Sequence, residues 1–252
     1  MLGKMKSLGT SALFAAAPRL ELPFEYYYQK LRNRLEEEMG LIKDLSGKGG
    51  VAIDVGANFG LYSFLLSKYH DRVEAFEPNG ACLRALRAYN SRKIGINQVG
   101  LSSKSATAVL NVPRNATLHG FGSLNPLPDF DALQMPVPVA RLDDFGYVGV
   151  SLIKVDVEGH ELEVIRGARE TLARERPTML IEIEQRHLSF PIATVFAEIE
   201  ALGYDGAFWT EGRYMPLSEF SVETHQSVKL LGQRGRKYVN NFIFRPASLP
   251  AT

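Results

Sequence analysis

Cysteine is almost missing from this chain. Cys82 is the only one in 252 residues, which excludes an internal disulfide and any cysteine-rich zinc site. An excess of one charge sign is missing too. There are 29 lysines and arginines against 28 aspartates and glutamates, a formal net charge of +1. The two signs are interspersed, so no electrostatic footprint for a nucleic-acid backbone exists and a small-molecule or glycan substrate is expected instead. No apolar run reaches the length needed to span a bilayer. Leu8 to Ala17 behind Lys4 and Lys6 imitates a secretory leader only faintly, being short and interrupted by Gly9, Thr10 and Ser11. What is present is 45% apolar residues, enough for a sizeable core in one α/β domain.

The chain is organised around Val51 to Gly60, Val-Ala-Ile-Asp-Val-Gly-Ala-Asn-Phe-Gly, and around Val73 to Pro78, Val-Glu-Ala-Phe-Glu-Pro. Val51, Ile53 and Val55 form a short apolar run of the kind buried in parallel sheets, and Gly56 and Gly60 free the backbone where it leaves the strand. Leu61, Phe64, Leu65 and Lys68 follow at helical spacing. The unit reads as strand, tight loop, helix, strand, acid. Glu77, about twenty residues beyond the loop, is placed to accept hydrogen bonds from a ribose diol. The loop then chooses between nucleoside cofactors. A pyrophosphate needs Gly-x-Gly-x-x-Gly, and Asn58 at the second glycine position obstructs that approach. S-adenosylmethionine carries no phosphate, and Asp54 suits its amino group, directly or through water. The methyl donor is therefore the expected cofactor, and the cytoplasm, where it is made, the expected location. An NAD-dependent oxidoreductase and a non-catalytic cofactor-binding module are the competing readings.

Residues 1–49 read as an N-terminal helical extension and residues 50–248 as the domain. In the extension Phe24, Tyr27, Leu31, Leu35 and Met39 recur at helical spacing. They predict one amphipathic helix packed on the domain or, with Tyr26 to Tyr28, serving as a lid or homodimer surface. After Glu77, Asn79 caps a helix that ends near Asn90. Ile96 to Leu101 reads as a third strand whose Gly100 allows close approach of an adenine ring. Thr107 to Val112 is a further strand. Pro113 to Pro138, with five prolines, reads as a long loop enclosing the substrate with Asn115, His119, Phe121, Ser123 and Asn125, before an extended Val137 to Arg141. Leu152 to Val157 is a central strand followed by Glu158-Gly159-His160 and a helix through Leu162, Ile165 and Ala168. Met179 to Ile183 forms another strand, with Glu182 and Glu184 at its end, before a helix from Ala193 to Leu202. Tyr204 to Trp209 and Asn240 to Phe244 suggest an antiparallel pair closing one sheet edge.

Several ordered motifs now stand together. They are Asp-Val-Gly-Ala-Asn-Phe-Gly with Ser63, Phe-Glu-Pro-Asn at Phe76 to Asn79, Leu-Asp-Asp at Leu142 to Asp144, and Ile-Lys-Val-Asp-Val-Glu-Gly at Ile153 to Gly159. In these the chain resembles the FkbM-type methyltransferases, a family of S-adenosylmethionine-dependent O-methyltransferases, from Val51 to Pro246. The resemblance implies a class I methyltransferase fold: a Rossmann-like seven-stranded sheet, its last strand antiparallel, with helices on both faces. It implies methyl transfer to a hydroxyl, with sugar or polyketide-type acceptors, and leaves the acceptor open. The expected cofactor contacts are Asp54, Gly56, Asn58, Phe59, Gly60 and Ser63, then Glu77 and Pro78, then Gly100, Leu101 and Asp156.

Transfer to an alcohol calls for alignment and for a base. Asp156 and Glu158 lie two apart, so they share a face at the carboxyl end of their strand. Asp156 is expected to touch cofactor or acceptor and Glu158 to act as base, with His160 a further candidate. His119, His187 and His225 read as surface residues. Asp156, Glu158, Glu182 and Glu184 offer hard oxygen ligands, but nothing in their spacing demands a metal, and none is expected.

Overall fold

Short apolar runs with period-2 alternation build the main sheet. The computed structural model describes residues 13–47, 49–114, 122–125, 131–230 and 238–247. Its strands are β1 (Val51–Val55), β2 (Arg72–Phe76), β3 (Ile94–Asn97), β4 (Gly100–Leu101), β5 (Ala106–Pro113), β6 (Ala132–Ala140), β7 (Val150–Val155), β8 (Thr178–Glu182), β9 (Tyr204–Thr210), β10 (Arg213–Pro216) and β11 (Asn241–Pro246). Eight of them pair in the order β10-β9-β11-β8-β7-β1-β2-β3. β3, β2, β1, β7 and β8 run parallel, and β11 lies antiparallel between β8 and β9. Without β10 this is the expected seven-stranded sheet with its last strand reversed. Alternation hands Ile53, Val55, Ile153, Val155 and Ile181 to one core, and Ala52, Leu152, Leu180 and Ile243 to the other. Both faces are therefore covered, as a parallel sheet requires.

Three expectations are corrected. The Tyr204 to Trp209 and Asn240 to Phe244 runs pair antiparallel as expected, but the last strand does not close an edge, because β11 is hydrogen-bonded on both sides, to β8 and to β9. The edge is β10, joined to β9 through Glu211 and Gly212, whose φ values of 51° and 76° suit the two-residue hairpin turn. Ile96 to Leu101 is not one strand either. β3 ends at Asn97, and Gly100–Leu101 pairs with Val139–Ala140 in a separate sheet of order β4-β6-β5. Finally, the expected 113–138 loop contains most of β6, which pairs antiparallel with β5 from Ala106↔Val139 to Pro113↔Ala132. Pro136 and Pro138 sit two apart, so their missing amides fall on one edge of β6. Among the described residues nothing pairs with that edge at the two prolines, since β4 meets β6 at Val139 and Ala140, so no donor is needed there. Asn115, His119 and Phe121 of that loop lie outside the described residues.

The extension is likewise broken. Its helix runs Glu21–Leu31 and stops at Asn33, whose φ of 52° is a left-handed conformation that asparagine tolerates. Separate short turns, Glu37–Leu41 and Ile42–Leu45, lead to β1. The helix packs on the domain through Leu22 and Tyr26, the latter with its ring 5.2 Å from Phe64. No helix among the described residues is long and apolar enough to cross a membrane.

Phe242 is fully buried, with ring centroids 4.8 Å from Phe196 and 5.0 Å from Phe220. Phe242→Ala is expected to cost about 3–5 kcal/mol in denaturant unfolding. Val109→Ala on β5, where the side chain is 48% exposed, is expected to stay within about 0.5 kcal/mol.

Candidate active site

The carboxyl ends of β1, β2, β7 and β8 open into a cavity of about 240 Å³, the place where open α/β sheets bind ligands. Its floor is the turn after β1. The N–H groups of Gly56 and Ala57 both donate to the carbonyl of Phe76, at 2.9 and 3.0 Å, which folds the chain across the end of β2. Gly56 has φ 76°, and a Cβ there would stand 1.7 Å from the Asp156 carbonyl oxygen. Only glycine lets the ends of β1 and β7 touch. Asn58 follows with φ 49°. Its N–H donates to Glu77 Oε2 at 3.0 Å, and the N–H of Asn79 donates to Glu77 Oε1 at 2.7 Å. The Glu77 carboxylate is thereby fixed at the cavity wall, and each oxygen keeps a further lone pair for a ligand. Burial raises its pKa to about 7, against the pull of those two amides.

The opposite wall is acidic. Asp156 and Glu158, from the end of β7, meet Glu182 from β8 and Glu36 from the extension. Behind them Lys154 is buried, with Nζ 2.9 Å from Asp156 Oδ2 and 4.7 Å from the centre of the Tyr62 ring. Burial alone would lower the lysine's pKa, but Asp156 and then Asp54 hold it above its ordinary value. The Tyr62 hydroxyl donates to Glu36 Oε2 at 2.6 Å, and Asn240 Nδ2 donates to Glu182 Oε1 at 2.7 Å. Burial, reinforced by Asp156, pushes the Glu182 carboxyl up.

Glu158 adopts φ 53°, a strained conformation for a glutamate, and its backbone is clamped. Ser123 Oγ donates to the Glu158 carbonyl at 2.7 Å, and Asn125 Nδ2 donates to the Gly159 carbonyl at 2.8 Å. Burial first, then Asp156 and Glu184, pushes the Glu158 carboxyl up to about 8, a value suited to general-base work near neutral pH. The same 122–125 segment roofs the cavity with Gly122 and Leu124. Among the described residues no group of three or more His, Cys, Asp or Glu side chains is arranged to hold a metal ion.

Of the residues expected at the site, the cavity gathers Gly56, Asn58, Glu77, Pro78, Gly100, Leu101, Asp156 and Glu158. The others stand elsewhere. Asp54 is fully buried behind the turn, where Ser63 Oγ donates to its Oδ2 at 2.5 Å while Oδ1 has no protein partner. Burial raises its pKa against the attraction of Lys154. Gly60 opens the Leu61–Leu66 helix and packs on Leu86. Phe59 is half exposed and lines a different hollow beside the N-terminal helix. His160 does not line the cleft: its Nε2 lies 2.9 Å from Ser102 Oγ, and it faces a second cavity. His187, read from the sequence as a surface residue, instead stands with Nδ1 3.1 Å from Glu158 Oε2.

Glu36, Cys82, Leu110 and Leu124 also line the cavity, and none of them was expected there. Nothing local marks them, since each reaches the cleft through tertiary packing. Glu182 did carry a signal, an acid closing an apolar strand at its carboxyl end.

Residues 54–205 match the family model described as the methyltransferase FkbM domain. Methyltransferase 1 of Beauveria bassiana (strain ARSEF 2860) is 30% identical over 141 residues, covering 46% of this chain and 57% of its own length. Methyltransferase sdnD of Sordaria araneosa is 32% identical over 163 residues, covering 47% of this chain and 60% of its own. The matches thus span less than two thirds of either relative. The solved structure of methyltransferase FkbM from Methylobacillus flagellatus KT aligns with a TM-score of 0.50 at 17% identity, over 78% of this chain and 44% of that one. At that identity the likeness is one of fold. With the family model matching more than half of its length, on a sheet of class I methyltransferase order, this chain belongs to the FkbM methyltransferase domain family.

Proposed function

We propose that this protein is an S-adenosylmethionine-dependent O-methyltransferase acting on a hydroxyl of a small molecule or glycan. One observation carries the reading: Glu77, suited to a ribose diol, and Glu158, suited to a hydroxyl proton, line the same cavity. The residues present fit the cofactor. Glu77 is held by two backbone amides with acceptor capacity left over. Pro78, Leu101 and Leu124 offer apolar walls for an adenine ring, and Glu36 and Asp156 give the far side the negative character that suits a cation. When bound, S-adenosylmethionine supplies an electrophilic methyl group on a sulfonium.

The chain's own part is alignment, exclusion of water and removal of a proton. The 122–125 roof and the acidic wall enclose the acceptor, so that its oxygen is held for in-line attack. An alcohol is a weak nucleophile until its proton leaves, and Glu158 takes that proton. The carboxylates of the acidic wall, Glu36, Asp156, Glu158 and Glu182, accept hydrogen bonds and so favour a hydroxyl-rich acceptor, a sugar or glycan first and a polyketide alcohol second.

Glu77→Ala is expected to weaken S-adenosylhomocysteine binding by about 1.5–3 kcal/mol, the worth of a charge-assisted contact. Calorimetry measures it, and NAD is expected to be inert in the same cell. The base is active only when ionised, so turnover should climb as pH rises through about 8 and level off above. Glu158→Gln should abolish that rise and lower turnover by about a hundredfold, with cofactor affinity close to wild type. The acceptor class is read from a screen of sugars, polyketides and phenols with labelled methyl donor. Labelling of an amine in preference to every hydroxyl would remove the O-methyl reading.

A further inference from the structure

We infer that His187 is the proton exit of the site: it takes from Glu158 the proton removed from the acceptor and releases it into a second cavity, away from the cleft. The inference rests on the hydroxyl methylation proposed above. Each methyl group placed on a hydroxyl frees one proton, and Glu158 must lose it before the next turnover. With donor and acceptor filling the cleft, that side offers no bulk water.

The geometry supplies the other side. His187 Nδ1 lies 3.1 Å from Glu158 Oε2, within hydrogen-bond range, and 23% of its side chain stays exposed. The same ring lines a cavity of about 480 Å³ behind Gly159. One imidazole therefore touches the base of the first cavity and the interior of the second. His160 shares the second cavity but is turned to Ser102, so it does not substitute.

The contact is built rather than incidental. His187 ends the short Gln185–His187 turn. Gln185 clamps that turn by donating from Nε2 to the Phe190 carbonyl and accepting at Oε1 from the Ile192 N–H, at 2.9 and 2.8 Å. Beside it Arg186 is drawn onto Glu184 by two bonds of 2.7 and 2.9 Å. Gly159, at φ 97°, is what lets the turn close on Glu158, because a Cβ there would stand 2.5 Å from the His187 carbonyl oxygen.

The acceptor oxygen keeps the O–H electron pair for its new bond to carbon, and Glu158 receives the proton. Glu158 passes it to the lone pair on Nδ1 of a neutral His187, and the imidazolium turns to give that Nδ1 proton to water in the second cavity and swings back, so that the Nε2–H tautomer with a free Nδ1 lone pair is restored for the next turnover. Glu158 ends ionised and His187 neutral. The surroundings keep both states within reach. Asp156, Glu184 and Glu161 favour protonated Glu158 while Arg186 opposes it. Burial disfavours the imidazolium, Glu184 and Asp156 favour it, and Arg186 disfavours it. His160, Glu163 and Arg166 face the ring across the second cavity.

The test uses the full chain with nitrogen-15-labelled histidine. NMR is expected to show His187 unprotonated at Nδ1 at neutral pH, and Glu158→Gln is expected to move its titration by about one pH unit, leaving that of the distant His70 unmoved. With a hydroxyl acceptor from the screen above, His187→Ala should lower turnover about tenfold. Added imidazole, which the second cavity admits, should restore much of the loss in His187→Ala and none in Glu158→Gln. A His187 titration indifferent to Glu158→Gln overturns the inference, as does a loss in His187→Ala that imidazole leaves untouched. If Glu158→Gln is crippled while His187→Ala turns over at the wild-type rate and pH profile, the base stands and the exit falls. Full turnover in Glu158→Gln sinks both.

Discussion

The buried cation Lys154 is the constraint on which the site depends. A lysine taken out of water costs several kcal/mol unless its charge is met, and here it is met by Asp156 at 2.9 Å and by the face of Tyr62. Asp54 on β1 and Glu182 on β8 flank it, and both act on its charge. Adjacent parallel strands thus place their terminal acids around one ammonium group. The arrangement is self-consistent in a way that no pair of these residues would be alone: without the lysine, carboxylates from three strands would face one another across a poorly solvated space. Because Lys154 lies behind the wall and not on it, the cleft itself presents acids.

A second constraint runs through the backbone. Gly56 brings the end of β1 against the Asp156 carbonyl, and Gly159 brings the Gln185–His187 turn against Glu158. Between these contacts Glu158 is held at φ 53°. Strain of this kind costs on the order of 1–3 kcal/mol and persists only where its surroundings over-determine it. Ser123 and Asn125 do so from above. The small β4-β6-β5 sheet, with its own core of Leu110, Val112 and Val137, carries that roof through the pairing of Asn111 with Ser123. The accessory sheet is thus coupled directly to the conformation of the candidate base.

Much of this was legible in the sequence where signals are short-range. Val51 to Glu77 contains a strand, a glycine turn, a helix, a second strand and an acid, and all of them occur as read. Ile153 to Gly159 likewise announced a central strand ending in acids. Where the reading failed, a local rule met a non-local one. Pro136 and Pro138 argued for a loop, but a strand edge that meets no neighbour there among the described residues needs no amide donors. The extension's helical spacing continued to Met39, yet the helix ends at Leu31, just before Asn33 turns left-handed.

Strand period, glycine placement and strand-end position are properties of neighbouring residues, so the fold class, the turn after β1 and the acids at the ends of β2 and β7 are written into short stretches of the chain. It takes the folded chain to bring Glu36 and Glu182 into the cleft, to turn His160 away from it and to set His187 against Glu158. Those placements depend on which strands pair, on the direction in which a side chain leaves its element, and on the depth at which a turn can pack. Residues far apart in the chain settle them together, and no one of those residues carries the outcome alone.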